Sequence, residues 1–430
     1  PNHSMFWGLE KMKKGSQMIS VEEAQDLLMK EKLQINVKTV SLGDSAGQVL
    51  AEDIFAKRPQ PPFNRVAMDG ISLNSSAWSS LQDKKPLLTE GVQAAGSKAL
   101  TLSDSSRCFE VMTGAPLPIG CDTVIPYEHC HFMDIEKPSS KARKVVLKDQ
   151  CSFSKGQNIH KLGSDYKKGE LLLSKGTLIT PPVLGVLASE GYASVIIEKK
   201  PKIVLISTGD ELVPVKDQPL DHQIRMSNTH ALKAELELRG HTEVDIFHLK
   251  DDPQTLFEKF KDALESYDLV IITGGVSKGK YDYVPSILND LGVQKIFHKI
   301  KQRPGKPMWF GKSPKGALVF GLPGNPVSCI VCLRRYVSPL IEDSWKGDLE
   351  KKVVLKEDFT FPKNLTFYLP VSIERSPLNG KLMAVPQKTN GSGDYFSLTK
   401  SDGFIELPRE RTNFFSGDAF VFYSWARGGC

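Results

Sequence analysis

Leu269-Val270-Ile271-Ile272-Thr273-Gly274-Gly275-Val276-Ser277 is the stretch whose reading decides the fold. Four apolar residues, three of them β-branched, stop abruptly at two glycines. Such a run reads as a strand buried on both faces, with a tight turn leaving its carboxyl end. The pattern returns downstream, where Ala317-Leu318-Val319-Phe320 leads into Gly321-Leu322-Pro323-Gly324-Asn325-Pro326. Asn325 is placed to cap a helix, and Pro326 holds its first position. Strand, glycine-rich loop and helix start together make the anion-binding device of an open α/β sheet.

The surrounding chain supplies the rest of that sheet. Strands are expected at Ile203 to Ser207, Val244 to Leu249, Leu269 to Ile272 and Ala317 to Phe320. Helices fit Asn228 to Arg239, Gln254 to Leu264, Tyr283 to Leu291 and Pro326 to about Leu340. Their alternation predicts a doubly wound, parallel-type sheet with helices on both faces. Toward the N-terminus, Ser20-Val21-Glu22-Glu23 has capping-box spacing and opens a helix through about Lys32. Asn36 to Leu42 reads as extended, and Ser45 to Asp53 as helical. Short strands with intervening turns from Ile71 to about Val146 read as a small inserted β domain, because the texture changes again near Cys151. Pro181-Pro182 starts another helix that Gly191 stops. From Lys351 to Tyr423 short strands and turns return, with Asn379-Gly380 a hairpin signal, giving a small C-terminal β-barrel or sandwich.

Composition bounds what this fold can do. A chain of 430 residues exceeds one hydrophobic core. No apolar run approaches the roughly 20 residues of a membrane helix. Residues 1–17 read as a flexible leader. Net charge is +6, from 56 basic and 50 acidic residues without a like-charge block, which argues against nucleic-acid binding. Seven scattered cysteines suit a reducing, cytoplasmic setting. Cys329-Ile330-Val331-Cys332 falls in an apolar helical pattern and reads as two core cysteines, not a redox or zinc pair.

Three loops leave the carboxyl edge of the sheet: Ser207-Thr208-Gly209-Asp210-Glu211, Thr273 to Ser277 with Tyr281-Asp282-Tyr283 beyond it, and Gly321 to Pro326. They offer backbone N–H groups and the carboxylates Asp210, Glu211 and Asp282, a mixture suited to a phosphate ester held with Mg2+. Arg303-Pro304-Gly305-Lys306-Pro307 adds two cations on a stiff turn. The chain has neither GxxxxGK[ST] nor GxGxxG, which excludes a P-loop ATPase and an ordinary dinucleotide site. It also lacks HExxH, and the chemistry is expected to rest on positioned anions and metal. Pro61-Pro62-Phe63-Asn64-Arg65-Val66-Ala67-Met68-Asp69-Gly70 reads either as a linker or as a stiff functional loop.

With these motifs in order, the sequence resembles the molybdopterin molybdenumtransferases, the family that includes the gephyrin E domain. The matching residues are Pro61-Pro62-Phe63 with Ala67-Met68-Asp69-Gly70, Met112-Thr113-Gly114-Ala115, Ser207 to Glu211, Asp251-Asp252-Pro253, Gly274 to Ser277 with Asp282-Tyr283, Pro304 to Pro307, and Leu322 to Pro326. The resemblance implies a first domain in two segments, 18–57 and 147–180, with a β domain inserted at 58–146. An α/β pterin-nucleotide domain at 181–342 and a β-barrel domain at 343–430 follow. It implies a homodimer that inserts molybdate into adenylylated molybdopterin, releasing AMP with a need for Mg2+. Asp69, Thr113, Glu211, Asp252, Asp282 and Lys306 are the catalytic candidates it carries over. Gly274, Gly275, Ser277, Arg303, Pro304, Pro323, Gly324, Asn325 and Pro326 would bind the nucleotide. Ser328 and Ser392 are molybdate-contact candidates, and Asp165 an acidic candidate beside the metal ligands Asp210, Glu211 and Asp282. Many members carry an Arg-x-x-Phe-x-Arg pattern in the barrel, where this chain has Asn364-Leu365-Thr366-Phe367-Tyr368-Leu369. A molybdopterin adenylyltransferase and a gephyrin-like scaffold binding a partner peptide are the alternatives, and the extra domains and the acidic residues argue against them.

Overall fold

The computed structural model describes residues 18–31, 33, 36–80, 86–134, 142–148, 151–276, 283–341 and 351–425. The leader at 1–17, Ser277 and Asp282 lie outside them. The chain divides into two compact units, one of residues 40–195 and one of the described residues of 1–39 and 196–430.

In the first unit, residues 70–147 supply a six-stranded sheet in the order Thr123–Pro126, Gly70–Leu73, Cys108–Val111, Leu87–Gln93, Arg143–Leu147, Cys130–Asp134. Gly70 admits the close approach of its neighbour, since a Cβ there would lie 1.9 Å from the Ile125 carbonyl oxygen. Ile71, Leu73, Cys108, Ile125 and Val145 pack one side of this sheet. The segments flanking it in sequence pair with each other: Arg65–Val66 with Ile159–His160, and Ile54–Phe55 with Leu171–Leu173. The helix expected over Ser45 to Asp53 is absent. Gly47 takes a φ of +74°, and Val49 bridges Leu178. Leu50 donates to the Thr177 carbonyl at 2.9 Å and accepts from Gly176 at 2.8 Å, so its backbone groups are spent on the returning chain. That pairing also buries Leu50 completely.

In the second unit, Ser20 caps the helix Val21–Lys30 with both halves of the capping box. The α/β sheet runs Val244–Leu249, Ile203–Thr208, Leu269–Thr273, Leu318–Leu322, Trp309–Lys312, Gln294–His298. The first four strands are parallel. The last two, Trp309–Lys312 and Gln294–His298, which the sequence reading did not name, are antiparallel because they connect at the sheet's edge without a crossover helix. Alternate strand residues feed two cores. Ile203, Leu205, Leu269 and Ile271 pack with Leu232, Leu236, Cys329 and Cys332 of the helices on one face. Val204, Ile206, Val270 and Ile272 pack with Leu256, Phe260, Val284 and Leu288 on the other. The result is the three-layer, doubly wound domain. The helix that begins at Pro326 is α-helical to Cys332, widens to a π-turn over Leu333–Val337, and resumes at Ser338–Ile341.

Thr366–Arg375, Leu382–Pro386, Lys351–Leu355, Ala419–Ser424 and Gly403–Leu407 form a closed barrel, because the last strand pairs back onto the first. Closure removes the sheet edges. Gly380, with φ +69°, makes the expected hairpin between the first two of these strands. Gln302–Arg303 extends alongside Thr366 and Phe367, which fastens the basic turn of the α/β domain to the barrel.

Candidate active site

One cavity of about 1300 Å³ lies within the second unit. Its first wall is the strand-end loops. Gly274 and Gly275 have φ of +91° and +62°, the left-handed region that glycine alone enters without strain. They are also tightly seated: a Cβ on Gly274 would lie 2.8 Å from the Thr208 carbonyl oxygen, and one on Gly275 2.8 Å from Val284 Cγ2. Beneath them the buried Thr208 Oγ1 has no hydrogen-bond partner among the described residues. Glu211 lines the cavity, its carboxylate folded back over Gly209, where a Cβ would meet Glu211 Oε2 at 2.5 Å. Asp210 is exposed and is not part of the lining; its Oδ1 accepts from the Asp251 N–H at 3.3 Å.

Pro323, Gly324, Asn325 and Ser328 line the same space. The sequence reading makes Asn325 the cap of the following helix, and its backbone is so placed, but its side chain makes no capping bond. Its Nδ2 instead donates to Ser392 Oγ at 2.7 Å, and the Val327 N–H donates to the Ser392 carbonyl at 3.0 Å. Two predicted residues 67 apart in sequence thus meet. Asn228 Nδ2 donates to the Gly324 carbonyl at 2.8 Å and steadies the other end of the turn.

The turn Arg303 to Lys306 carries exposed cations on a buried foundation. Gly305 packs so closely that a Cβ would come within 2.4 Å of Cys332 Sγ. Gln302 Nε2 donates to the Gly305 carbonyl at 3.1 Å. Its Oε1 accepts from the Tyr336 and Tyr368 hydroxyls, which are 2.9 Å from each other. Nothing in the local sequence announces this trio; it joins a turn, the π-turn helix and a barrel strand. Cys329 and Cys332 are buried, and burial pushes both thiols up, that of Cys332 to about 12, so neither is a thiolate at neutral pH.

The opposite wall belongs to the barrel: Glu357, Phe359, Phe361, Lys363, Phe367, Leu369 and Lys388, with Gly391 and Ser392 on the connecting loop. Leu369, at one of the two absent arginine positions, is 2% exposed in the barrel core. Glu357, Phe359, Phe361, Lys363 and Lys388 on this wall escaped the sequence reading. Phenylalanines at 359, 361 and 367 beside lysines at 363 and 388 are the signal that was there to find.

The remaining candidates have other surroundings. Asp252 caps the helix Pro253–Ser266, its carboxylate accepting from the Thr255 N–H at 2.8 Å and hydroxyl at 2.6 Å. Those two bonds hold its pKa below the ordinary value. In the first unit, Asp69 Oδ1 accepts from the Thr113 N–H at 2.6 Å and hydroxyl at 2.8 Å, which likewise lowers its pKa. The structure therefore joins those two candidates. Asp165 donates its N–H to the Gln60 carbonyl at 2.9 Å, and its carboxylate is 3.4 Å from Ser164 Oγ.

Comparison with known proteins gives this arrangement a family. Three family models match in order: the MoeA N-terminal region (domain I and II) over residues 19–191, the "Probable molybdopterin binding domain" over 204–343, and the MoeA C-terminal region (domain IV) over 352–425. A molybdopterin molybdenumtransferase of Synechocystis sp. is 38% identical, covering 95% of this chain and 100% of that protein. The chain belongs to the molybdopterin molybdenumtransferase family. The Bacillus subtilis molybdenumtransferase is 31% identical over 93% of this chain and 92% of its own length. Two crystal structures of the molybdopterin biosynthesis MoeA protein of Pyrococcus horikoshii superpose with TM-scores of 0.78 and 0.75 at 27% and 26% identity, covering 95% and 94% of the chain and 99% of each structure. The molybdenumtransferase fold thus extends over both units.

Proposed function

We propose that this chain inserts molybdate into adenylylated molybdopterin with release of AMP, in a Mg2+-dependent reaction. The observation that carries the reading is the single cavity in which left-handed glycine loops and the Arg303 to Lys306 turn adjoin a barrel wall, in a member of this family. Backbone N–H groups of Gly275 and Gly324 suit phosphate oxygens, the Gly274 N–H being already given to the Leu322 carbonyl at 3.3 Å, and the Arg303 and Lys306 side chains suit the remaining negative charge. Holding the pyrophosphate there orients the adenylyl phosphorus for attack by an oxygen nucleophile. The nucleophile's oxygen becomes part of AMP as the bond between the two phosphates breaks and AMP leaves, and the substrate's own dithiolene sulfurs replace a molybdate oxygen, which leaves as water with the two thiol protons while molybdenum stays hexavalent.

Among the described residues no group of three His, Cys, Asp or Glu side chains gathers. Mg2+ characteristically takes one or two carboxylates and completes its shell with phosphate and water. Glu211 on the cavity wall fits that requirement, with Asp210 and Asp282 as further candidates from the sequence. When bound, the cation supplies charge neutralisation at the phosphate oxygens.

The reading includes a cytoplasmic homodimer of four domains, with the boundaries inferred from the sequence. Asp69 and Thr113 are assigned to the same reaction in that dimer, and sedimentation velocity checks the stoichiometry. The deciding experiment incubates the chain with adenylylated molybdopterin, molybdate and Mg2+ and follows AMP by chromatography. Molybdate-dependent AMP is expected; its absence overturns the reading.

A further inference from the structure

The barrel wall of the cavity is built for a flat ring. Phe361 and Phe367 stack at 4.3 Å between centroids with planes 9° apart, and Phe359 and Phe367 at 5.9 Å with planes 7° apart. All three line the cavity; Phe361 is 8% exposed, and Phe359 and Phe367 are half-buried and present more of their surface to it. Phe359 and Phe367 also pack against the barrel core, which anchors them while they border a space lined by Arg303, Lys306, Lys363 and Lys388. Phe367 is also the backbone neighbour of Arg303, which sets the rings against the basic turn. A ligand held by its phosphates at that turn therefore has an aromatic wall next to it. Aromatic side chains beside cations are the means by which proteins hold heteroaromatic rings attached to phosphate.

The wall also distinguishes between rings. Glu357 lines the cavity, is exposed, and makes no hydrogen bond or ion pair among the described residues. A carboxylate offers two acceptors side by side. The 2-amino-4-oxo edge of a pterin presents an N–H and an NH2 side by side, and so matches it with two charge-assisted bonds. Adenine presents one NH2 beside a ring nitrogen that is itself an acceptor, and does not. Lys363 and Lys388, on the same wall, suit the anionic substituents of such a ring.

We propose that Phe359 and Phe367, with Glu357, form the subsite that stacks and reads the pterin ring of the substrate. The proposal rests on the reading of the cavity given above and goes beyond it by assigning the ring to the barrel and away from the glycine loops. Neopterin, a soluble pterin without phosphate, and AMP are titrated separately against the full chain, the first by quenching of pterin fluorescence and the second by calorimetry. Phe359→Leu, which keeps apolar volume without an aromatic face, is expected to weaken neopterin binding roughly tenfold, and Phe359→Tyr to restore it. Glu357→Ala, at an exposed position where folding is not at issue, is expected to weaken neopterin binding by a similar factor. AMP affinity is expected to stay within about twofold in all three, the range of a substitution remote from the ligand. Unchanged neopterin binding in both Phe359→Leu and Glu357→Ala overturns the subsite, as does absence of neopterin binding to the parent chain. A loss confined to AMP overturns it too. The AMP-release assay separates this failure from the larger one: a chain that makes molybdate-dependent AMP while those variants bind neopterin normally has the activity without this subsite.

Discussion

The two walls of the cavity are made by different means. The loop wall uses backbone: Gly274, Gly275 and Gly305 sit at positive φ with neighbours too close for any side chain. The barrel wall uses side chains, delivered by segments near 357–367 and 388–392 that the closed barrel brings together. An anion is satisfied by N–H groups, which every residue carries, so its site is specified by a few adjacent glycines and prolines. A ring is satisfied only by particular side chains at particular registers. The first kind of site tolerates little change at its glycines, whereas the second depends on which side chains the barrel segments deliver.

The sharpest way to break this comparison is to remove one cation from each wall. Lys306→Ala is expected to lower molybdate-dependent AMP formation by about a hundredfold, as loss of a preorganised electrostatic contact does. Lys363→Ala, on the barrel wall away from the phosphate-binding loops, is expected to lower it by roughly threefold, the scale of a surface charge contact. Equal losses in the two variants would show that the walls share the charge evenly and that the division drawn here is wrong.

A pair of glycines tests the same division through stability. Gly275→Ala forces a left-handed residue and a Cβ 2.8 Å from Val284 Cγ2 and 3.0 Å from Thr208 Oγ1. It is expected to cost about 1–3 kcal/mol, read from the shift of the denaturation midpoint. Gly393→Ala, on the barrel-side loop, meets nothing within 4 Å and has no left-handed φ. It is expected to fall within about 0.5 kcal/mol of the parent. A neutral Gly275→Ala would mean that the loop has room for an alternative path.

These contrasts also explain what the sequence made readable. The α/β strands are legible because burial on both faces demands continuous apolar runs such as Leu269 to Ile272. The Asn325 turn is legible because its Gly-Asn-Pro order is a local helix-start signal. Its actual side-chain partner, Ser392, is not, since that contact depends on where a barrel loop lands. Gln302, Tyr336 and Tyr368 fail for the same reason, being brought together only when the α/β domain and the barrel share the short pairing at Gln302–Arg303. Ser45 to Asp53 shows the opposite error. Its apolar spacing fits a helix, but Gly47 and the returning chain at 176–179 offer its backbone better-placed partners. Asp252 stood out in sequence, and the structure shows that it at least serves as a helix cap.

The bond between Asn325 Nδ2 and Ser392 Oγ ties the two walls directly. If the walls act together through it, Asn325→Ala and Ser392→Ala are coupled. A double-mutant cycle on AMP formation is expected to give an interaction energy of about 0.5–1 kcal/mol, the net worth of one neutral hydrogen bond. Strict additivity would make the walls independent.

The smallest expected effect concerns how the barrel-side loop is held. Asp394 follows Ser392 by two residues, and its carboxylate accepts from the Ser397 hydroxyl, the Ser397 N–H at 3.1 Å and the Asn390 N–H at 3.2 Å. The Ser397 side-chain and backbone bonds, followed by those from Asn390, lower its pKa from 3.8 to about 2. A carboxyl depressed in the folded state contributes its stability above the unfolded value and loses it as pH falls through the folded one. The contribution of Asp394 is therefore full at pH 5 and above, and fades between about 3.8 and about 2. Asp69, Asp104, Asp252 and Asp418, each lowered by its own hydrogen bonds, also titrate in the acid range, so a single melting curve mixes their contributions with that of Asp394. Subtracting the Asp394→Asn variant isolates the loop. The melting temperature of the parent should exceed that of the variant by a small constant amount from pH 5 to 8, and the gap should close as pH falls from 3.8 toward 2. A gap that stays open at pH 2 would mean that the loop next to Ser392 is held by its backbone alone, as the loop wall is, and the two walls would then differ less than their sequences suggest.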